Sequence, residues 1–550
     1  MKEVRIAIVN LLLPLVFSFF LFALPAAGAA GRPEIATPPT PPEGLSTEEA
    51  LRLGEAMYRR GTLPSGEPMI GFVQGDIEVS GQILTCANCH MRSGLGSYEG
   101  GVTTLPTNGD KLYSPLKNGY DLPSTSMGIR PLTAPRPAYT DEALAAALLE
   151  GVDPAGRELS VTMPRYVLDD DEIEIMIFYL KHLSSTLSPG ATRDVLRLAT
   201  VVSEGVSTLD RQSMLDPLMS FIDRFPRKLI LDVWELKGPQ DTWQKQLEKQ
   251  YQQQPVFALL GGLVKGNWRP IHEFCEKNSI PSILPITDLP VVSESDLYTL
   301  YLSKGYYQEG EAAAKYLAYG LELPPDKQVI QIFRDSDEGK ALAAGFADSW
   351  KKFGSTPVIE KTISASETTG ANFWQKSAAM YPDAVMLLWL GPGDLAGIES
   401  LGELLEKPQM VFVSSTMLGE DFTVIPDKIR HFTNITYPYG LPEERARSRV
   451  NAEQFWRGRN VHPANKAMAE KVYSAIGLFS MAFSGLQNNR YRDFFLDLFD
   501  MLEDQTGYGV RYPRLSFGPG QRDTSKGCFI VTLSEGPQPK LTKKSEWIIY

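Results

Sequence analysis

Cysteine and histidine are scarce in this chain, with four Cys and five His among 550 residues. So few thiols exclude a disulfide-built scaffold. His182, His272, His431 and His462 are scattered and show no H-E-x-x-H or H-x-x-E-H spacing for zinc. A basic excess is also missing: 54 Lys and Arg face 66 Asp and Glu, a formal net charge of −12. That balance argues against partners such as nucleic acid or anionic membrane surfaces. There is no G-x-S-x-G element to indicate hydrolytic chemistry. Gly391-Pro392-Gly393 lacks the G-x-G-x-x-G spacing of a dinucleotide site and reads as a turn.

What is present is ample core material, 43% apolar and 10% aromatic, in a chain too long for one ordinary core. Two or more domains are expected. Lys2 and Arg5 precede the apolar run 6–24, and Ala27-Gly28-Ala29 offers the small residues of a cleavage site. Residues 1–30 therefore read as an export signal directing the chain to the periplasm, followed by a Pro-rich linker over 31–45. The run is long enough for an uncleaved anchor as the rival, which Asn10 and Pro14 weaken. After cleavage no stable membrane insertion is expected. Cys275 and Cys528 stand either as a disulfide pair or as two buried thiols.

Cys86-Ala87-Asn88-Cys89-His90 has the C-x-x-C-H pattern of covalent haem attachment. Two thiols three positions apart on a helical turn can each add to one vinyl group, and the adjacent imidazole then faces the iron. The rival readings, a thioredoxin-like pair or half a zinc site, lack a second Cys pair and sit poorly after an export signal. Met127, Met163, Met176 and His182 are the available sixth ligands. Met176 falls on the apolar stripe Ile173, Met176, Ile177 and Leu180 of a packed helix face. Met163 lies in Thr162-Met163-Pro164-Arg165-Tyr166, a loop stiffened by proline just before an acidic helix start, and is the preferred donor.

Ser46-x-x-Glu49 reads as a capping box opening a helix over 47–60, with Gly54 and Tyr58 on one face for close crossing by the 173–182 helix. Together with Cys86 to His90, Met163 to Tyr166 and Tyr179-Leu180, these residues resemble class I monohaem cytochromes c over about a quarter of the chain. The resemblance implies an all-α domain over 46–185 enclosing one haem c, with Cys86 and Cys89 as covalent sites and His90 and Met163 as axial ligands. The long Gly-, Pro-, Ser- and Thr-rich segment 92–140 departs from that family. Eleven Lys and Arg against nineteen Asp and Glu leave residues 46–185 at −8, so a redox partner with a positive patch is expected.

Residues 186–194 read as a linker. Beyond them, apolar runs at 195–202, 229–234, 256–260, 282–286, 329–333, 384–390 and 410–414 alternate with helical patterns clearest at 308–319, 340–353 and 465–487. This predicts parallel sheets covered by helices in two α/β lobes over 195–550. The stretches Val256 to Gly262, Asn278 to Pro285 and Arg334 to Gly339 resemble type 1 periplasmic solute-binding proteins of the branched-chain amino-acid group. The likeness implies the fold, but the family's amino-acid clamp is not evident: Glu338 stands where an aromatic residue is usual. Loop positions at the carboxyl ends of strands give Lys265, Asn267, Thr287, Asp288, Glu338 and Trp389 as cleft candidates for a small-molecule ligand. The leading functional expectation is a periplasmic electron-transfer cytochrome, rather than a catalyst, fused to a docking or sensing domain. The alternative is an ABC-transporter-type solute receptor with a redox-gating haem. A peroxidase-like enzyme would require an open sixth position.

Overall fold

The computed structural model describes residues 39–99, 102–117, 134–321, 323, 327–354, 356–502 and 506–549. The export signal, most of the Pro-rich linker and Met127 lie outside the described residues.

Helix α1 (Thr47–Arg60) begins where the Ser46 hydroxyl accepts the Glu49 amide at 3.2 Å, carries Glu48 and Glu49 in its first turn, and ends at Gly61 with φ 60°. Charge and caps thus agree with the helix dipole at both ends. A single turn, α2 (Cys86–His90), carries the C-x-x-C-H motif, and α3 (Gly109–Leu112) and α4 (Asp141–Leu149) follow. Helix α5 (Asp170–His182) opens with a reciprocal capping box between Asp169 and Glu172. A Cβ built on Gly54 would lie 2.3 Å from Tyr179 Cβ, so glycine is what lets α1 and α5 cross, with the Tyr58 and Tyr179 rings 5.6 Å apart.

The expectation of an all-α domain is corrected here. Strands β1 (Ile70–Val73) and β2 (Ile77–Ser80) form an antiparallel hairpin, β3 (Ser97–Glu99) and β4 (Val102–Thr104) form a second, and β5 (Arg165–Val167) pairs antiparallel with β1. The physical reason is local: Gln74 and Gly75, both at positive φ, turn the chain between two short segments that include β-branched residues. The preferred ligand loop therefore ends on a sheet edge as well as at a helix.

The C-terminal part contains two parallel sheets. The first takes β6 (Val195–Ser203), β7 (Lys228–Leu236), β8 (Ala258–Leu260), β9 (Ser282–Ile283) and β10 (Thr299–Ser303), flanked by α6 (Thr208–Asp223), α7 (Trp243–Gln253) and α8 (Arg269–Lys277). The second takes β11 (Val329–Arg334), β12 (Val358–Ile363), β13 (Val385–Trp389), β14 (Met410–Ser414) and β15 (Thr433–Tyr437), with α9 (Tyr306–Lys315), α10 (Asp337–Phe353), α11 (Ala371–Met380) and α12 (Asp427–Arg430). The chain then returns to the first lobe through α13 (Pro442–Gly458), α14 (Lys466–Leu486), α15 (Arg492–Asp500) and β16 (Asp523–Ser525). It crosses back into the second lobe as β17 (Phe529–Leu533) and β18 (Leu541–Lys543). Strand orders are β16-β10-β9-β8-β6-β7 and β12-β11-β13-β14-β15-β17-β18, the last two strands running antiparallel. Three connections cross between lobes: β10 to α9, β15 to α13 and β16 to β17. Strands such as β13, buried at every residue, need the continuous apolar runs seen in the sequence.

Residues 186–194 are held against the first lobe. Ser188 N donates to Arg490 O at 3.2 Å, Arg492 N to Ser188 Oγ at 3.0 Å, and the Arg490 guanidinium to the Thr192 carbonyl. Cys275 lies in the core of the first lobe and Cys528 at the start of β17. Both are buried free thiols, and no disulfide joins them.

Gly54→Val should unfold the N-terminal domain or lower its stability by about 3 kcal/mol or more, since overpacking meets Tyr179 where neither backbone can move. A urea denaturation midpoint unchanged from the wild type contradicts the close crossing.

Candidate functional site

The C-x-x-C-H segment is built from the Thr85 cap. Its hydroxyl accepts the Asn88 amide at 3.1 Å and donates to Asn88 Oδ1 at 2.8 Å, while Asn88 Nδ2 reaches Ile83 O at 2.9 Å. These bonds fix the turn on which Cys86, Cys89 and His90 sit. His90 Nδ1 lies 2.7 Å from the Leu105 carbonyl. A carbonyl only accepts, so Nδ1 carries the proton and Nε2 keeps its lone pair. Burial lowers the imidazole's proton affinity, which favours that neutral form.

Met163 faces the same space from the opposite segment. Its loop is held by Arg165, whose guanidinium donates to the carbonyls of Met163 (2.5 Å), Leu159 (3.0 Å) and Ser160 (3.1 Å). Tyr166 joins the two segments: its hydroxyl donates to Leu84 O at 3.2 Å and lies 3.8 Å from Cys86 Sγ. Burial pushes the Cys86 thiol up to about 11 and raises that of the more exposed Cys89, so both are protonated at neutral pH in this state. Cys86, Cys89, His90 and Met163 all line one cavity of about 310 Å³, walled mainly by apolar side chains including Leu144, Leu148 and Leu180. This size is within the range of small-molecule sites.

Three features of the cavity add to the sequence reading, in which the 92–140 segment is expected to cover a haem face or to carry a partner surface. The segment that departs from the cytochrome pattern supplies the Leu105 carbonyl and, at Val102 to Thr107, part of the wall. Met176 is buried on α5 as expected for a core residue, yet it also touches the cavity. Arg136 lines the cavity nine-tenths buried and donates to the carbonyls of Lys111, Leu112, Ser114 and Pro137. The only available signal for that arginine was its place beside Pro137. His182 is not part of the cavity wall; its Nδ1 lies 2.9 Å from Phe178 O within α5. Among the described residues no group of three or more His, Cys, Asp and Glu is placed to hold a metal ion.

The segment following His90 is docked on α15. Asp497 accepts Ser93 N at 2.9 Å and Arg92 N at 3.3 Å, and Asp493 accepts Arg59 at 2.5 Å and the Tyr298 hydroxyl at 3.2 Å. Leu95 inserts into the large core of the C-terminal part.

The six cleft positions separate. Asn267 Nδ2 donates to Asp337 Oδ2 at 2.9 Å, joining the first lobe to the start of α10. The Lys265 amide bonds Ser203 Oγ at 2.8 Å. Thr287 Oγ1 accepts the Leu289 amide at 3.0 Å, a turn-capping role. Asp288 is ion-paired with Lys471 of α14 at 2.7 Å. Glu338 sits in the first turn of α10, close enough to contribute to raising the Tyr306 phenol, whose shift comes first from burial. Trp389 is corrected: it is fully buried in the second lobe and donates to Gln331 Oε1 at 2.7 Å, so it is a core residue rather than cleft wall. It is the last residue of β13, and its side chain turns toward Gln331 on the neighbouring β11.

Residues 227–493 match the family described as Periplasmic binding protein. The C-terminal part is a two-lobed α/β periplasmic-binding-protein fold. Among solved structures, an ABC transporter substrate-binding protein from Sphaerobacter thermophilus is 13% identical, covering 64% of this chain and 98% of its own, with a TM-score of 0.48. A branched-chain amino acid ABC transporter protein from Thermus thermophilus with bound valine is 10% identical, covering 64% and 97%, with a TM-score of 0.46. No curated protein matches the chain. Among the described residues no helix is long and apolar enough to cross a membrane.

Asp497 is pushed up to about 7, first by burial and further by Asp493 and Asp500, against the stabilising Ser93 amide. A folded value above the unfolded one means the folded chain holds a proton the unfolded chain has lost. Stability from this group therefore falls as pH rises from about 4 to about 7 and stays lost above. Asp497→Asn should remove that dependence, so the variant's unfolding midpoint relative to wild type should rise between pH 5 and pH 8. A relative fall over that interval means the docking holds the charged carboxylate instead.

Proposed function

We propose that this protein is an exported solute receptor of the ABC-transporter type whose N-terminal domain carries one covalently attached haem c. The receptor half is supported by the family match over residues 227–493 and by the two lobes joined through three crossings. This reading takes precedence over the electron-transfer expectation drawn from sequence. Its ligand is a small molecule held between the lobes, with Asn267, Asp288 and Glu338 the polar groups nearest that role. Periplasmic residence follows from the export signal and from the family.

The haem half rests on one observation: His90 keeps Nε2 free because Nδ1 is bound to Leu105 O, on the wall of a cavity that also presents both motif cysteines and Met163. The residues fit the group. Cys86 and Cys89 would form the thioethers, and His90 and Met163 would supply the axial ligands. When bound, the haem supplies a one-electron couple whose potential a thioether ligand raises. The chain's own contribution is positional. Leu105 O fixes the imidazole tautomer, Arg165 holds the methionine loop by three carbonyls, and apolar walls exclude water from the iron's surroundings.

The chain matured in a host competent for cytochrome assembly should be coloured, with Cys86 and Cys89 unreactive to thiol reagents. Met163→Ala should abolish the far-red sulfur-to-iron band of the ferric form and open the iron to carbon monoxide. A colourless product with both thiols titratable ends the haem reading.

The receptor reading is tested separately by thermal shift with amino acids, amides and small organic acids. A ligand at a hundred times its Kd adds about 2.7 kcal/mol and should raise the melting temperature. Should the whole panel leave it unmoved while the protein is coloured, the second reading gains: an electron carrier whose α/β part is a docking scaffold. That second reading is favoured by the exposure of Cys89, which brings the attachment edge within reach of a redox partner.

A further inference from the structure

Among the described residues that line the cavity around His90, Arg136 is the one that carries a permanent charge. It belongs to the stretch that departs from the cytochrome pattern, and a local frame holds it. Arg136 and Leu116 exchange backbone hydrogen bonds at 2.9 and 3.0 Å, and Tyr139 N donates to Leu112 O at 3.0 Å. The guanidinium closes that frame. Its Nη1 donates to the carbonyls of Pro137 at 2.8 Å, Ser114 at 3.2 Å and Leu112 at 3.3 Å, and its Nη2 to Lys111 O at 2.9 Å.

Carbonyls orient a cation without neutralising it. Among the described residues Arg136 forms no ion pair, and the carboxylate that bears on it, Asp153, is already bound to Arg157 at 2.7 Å. Burial weighs against the charged guanidinium more than any neighbour supports it. Such a cation is costly to keep unless an anion pairs with it. Nor is it used up. Of the five guanidinium hydrogens, the one on Nε enters none of the four bonds, and Nε keeps accessible surface. The Tyr139 ring lies against the guanidinium, with Arg136 Cζ 4.6 Å from its centroid, and its hydroxyl likewise makes no hydrogen bond among the described residues. The other phenols on the wall are engaged: Tyr58 donates to Met91 O at 2.9 Å and Tyr166 to Leu84 O at 3.2 Å. An unused guanidinium hydrogen and an unused hydroxyl therefore stand side by side on a mainly apolar wall.

We propose that Arg136, with the Tyr139 hydroxyl beside it, is the carboxylate-binding residue of this cavity and holds a propionate of the haem. The inference rests on the haem reading above and adds to it a charge contact outside the C-x-x-C-H motif. A haem brings two carboxylates to a wall that offers one cation, and a guanidinium-to-carboxylate bond is of the strong, charge-assisted kind. The same charge acts on the iron. Ferric haem carries one positive charge more than ferrous, so a cation close by in a low dielectric favours the ferrous state and raises the reduction potential.

The test uses the full chain matured in a host competent for cytochrome assembly, with reduction potential and melting temperature measured for the wild type, Arg136→Met and Arg136→Lys. Arg136→Met should keep the far-red sulfur-to-iron band. It should also raise the ferric-to-ferrous ratio at a fixed solution potential by about tenfold, a fall in potential of about 59 mV for a one-electron couple. Arg136→Lys keeps the charge but cannot serve four carbonyls, so it should lose thermal stability as Arg136→Met does while its potential stays close to that of the wild type. That split separates holding a carboxylate from pinning a loop. If Arg136→Met is not recovered folded, Arg136→Gln takes its place, since it removes the charge and retains two amide hydrogens for the carbonyls. Neutral variants that lose the haem while Arg136→Lys retains it support the proposal equally. Equal potentials in the neutral and lysine variants overturn it, as does failure of all three variants to mature, which assigns Arg136 to the loop alone. A colourless wild type is a different result, because it ends the haem reading itself.

Discussion

Two carboxylates one turn apart on α15 organise the relation between the halves of this chain. Asp493 faces the N-terminal domain with a charge that is costly to bury alone and is answered by Arg59 and Arg92, while Asp497, whose carboxyl burial drives toward the protonated form, accepts the amides that follow His90. The pairing is buried enough that truncating one partner leaves the other uncompensated. It also falls on the chain immediately beyond the C-x-x-C-H motif, so the backbone of His90 is positioned from both sides: by the Thr85 cap before it and by the α15 acids after it. Tyr298, which shares Asp493, stands just ahead of β10, the strand that leads into the first crossing between lobes.

The cavity around His90 and the C-terminal cleft illustrate two ways a fold positions chemistry. In the first, backbone carbonyls do most of the work: Leu105 orients the imidazole, and Leu159, Ser160 and Met163 share one arginine. In the second, side chains compensate one another across elements, as Asp288 does with Lys471 and Asn267 with Asp337. A carbonyl-held site is insensitive to pH over the physiological range. A cleft closed by an amide-to-carboxylate bond can exchange that contact for one to a ligand when the lobes part.

Much of the architecture was legible in the residues. Every apolar run from 195 to 414 corresponds to a strand, because a parallel strand covered on both faces must be continuously apolar, and the start of α5 was readable from Asp169 to Glu172 as an acidic helix opening. The strands over 299–303, 358–363 and 433–437 were not anticipated: Lys361 and Glu360 interrupt the second, and Thr and Asn residues break the apolar pattern of the third. In the N-terminal domain α1, α5 and the C-x-x-C-H turn were readable, since caps, glycine contacts and motif spacing are local, whereas α3 and α4 were not anticipated. The sheet was not, because three- and four-residue strands carry too little periodicity. Arg136 and the Leu105 carbonyl were invisible for a different reason: a backbone acceptor has no residue-type signature, and a lone arginine in a Pro-rich stretch looks like solvated surface. Trp389 shows the converse, a conspicuous residue whose placement is set by packing against Gln331.

The strap over 186–194 has the length of a flexible tether but is stitched down by Arg490, Arg492 and Ser188. Its ends are therefore held by the first lobe independently of the peptide bonds between them. A cut in the backbone within the strap would leave two fragments still joined by the contacts that the N-terminal domain makes to α15.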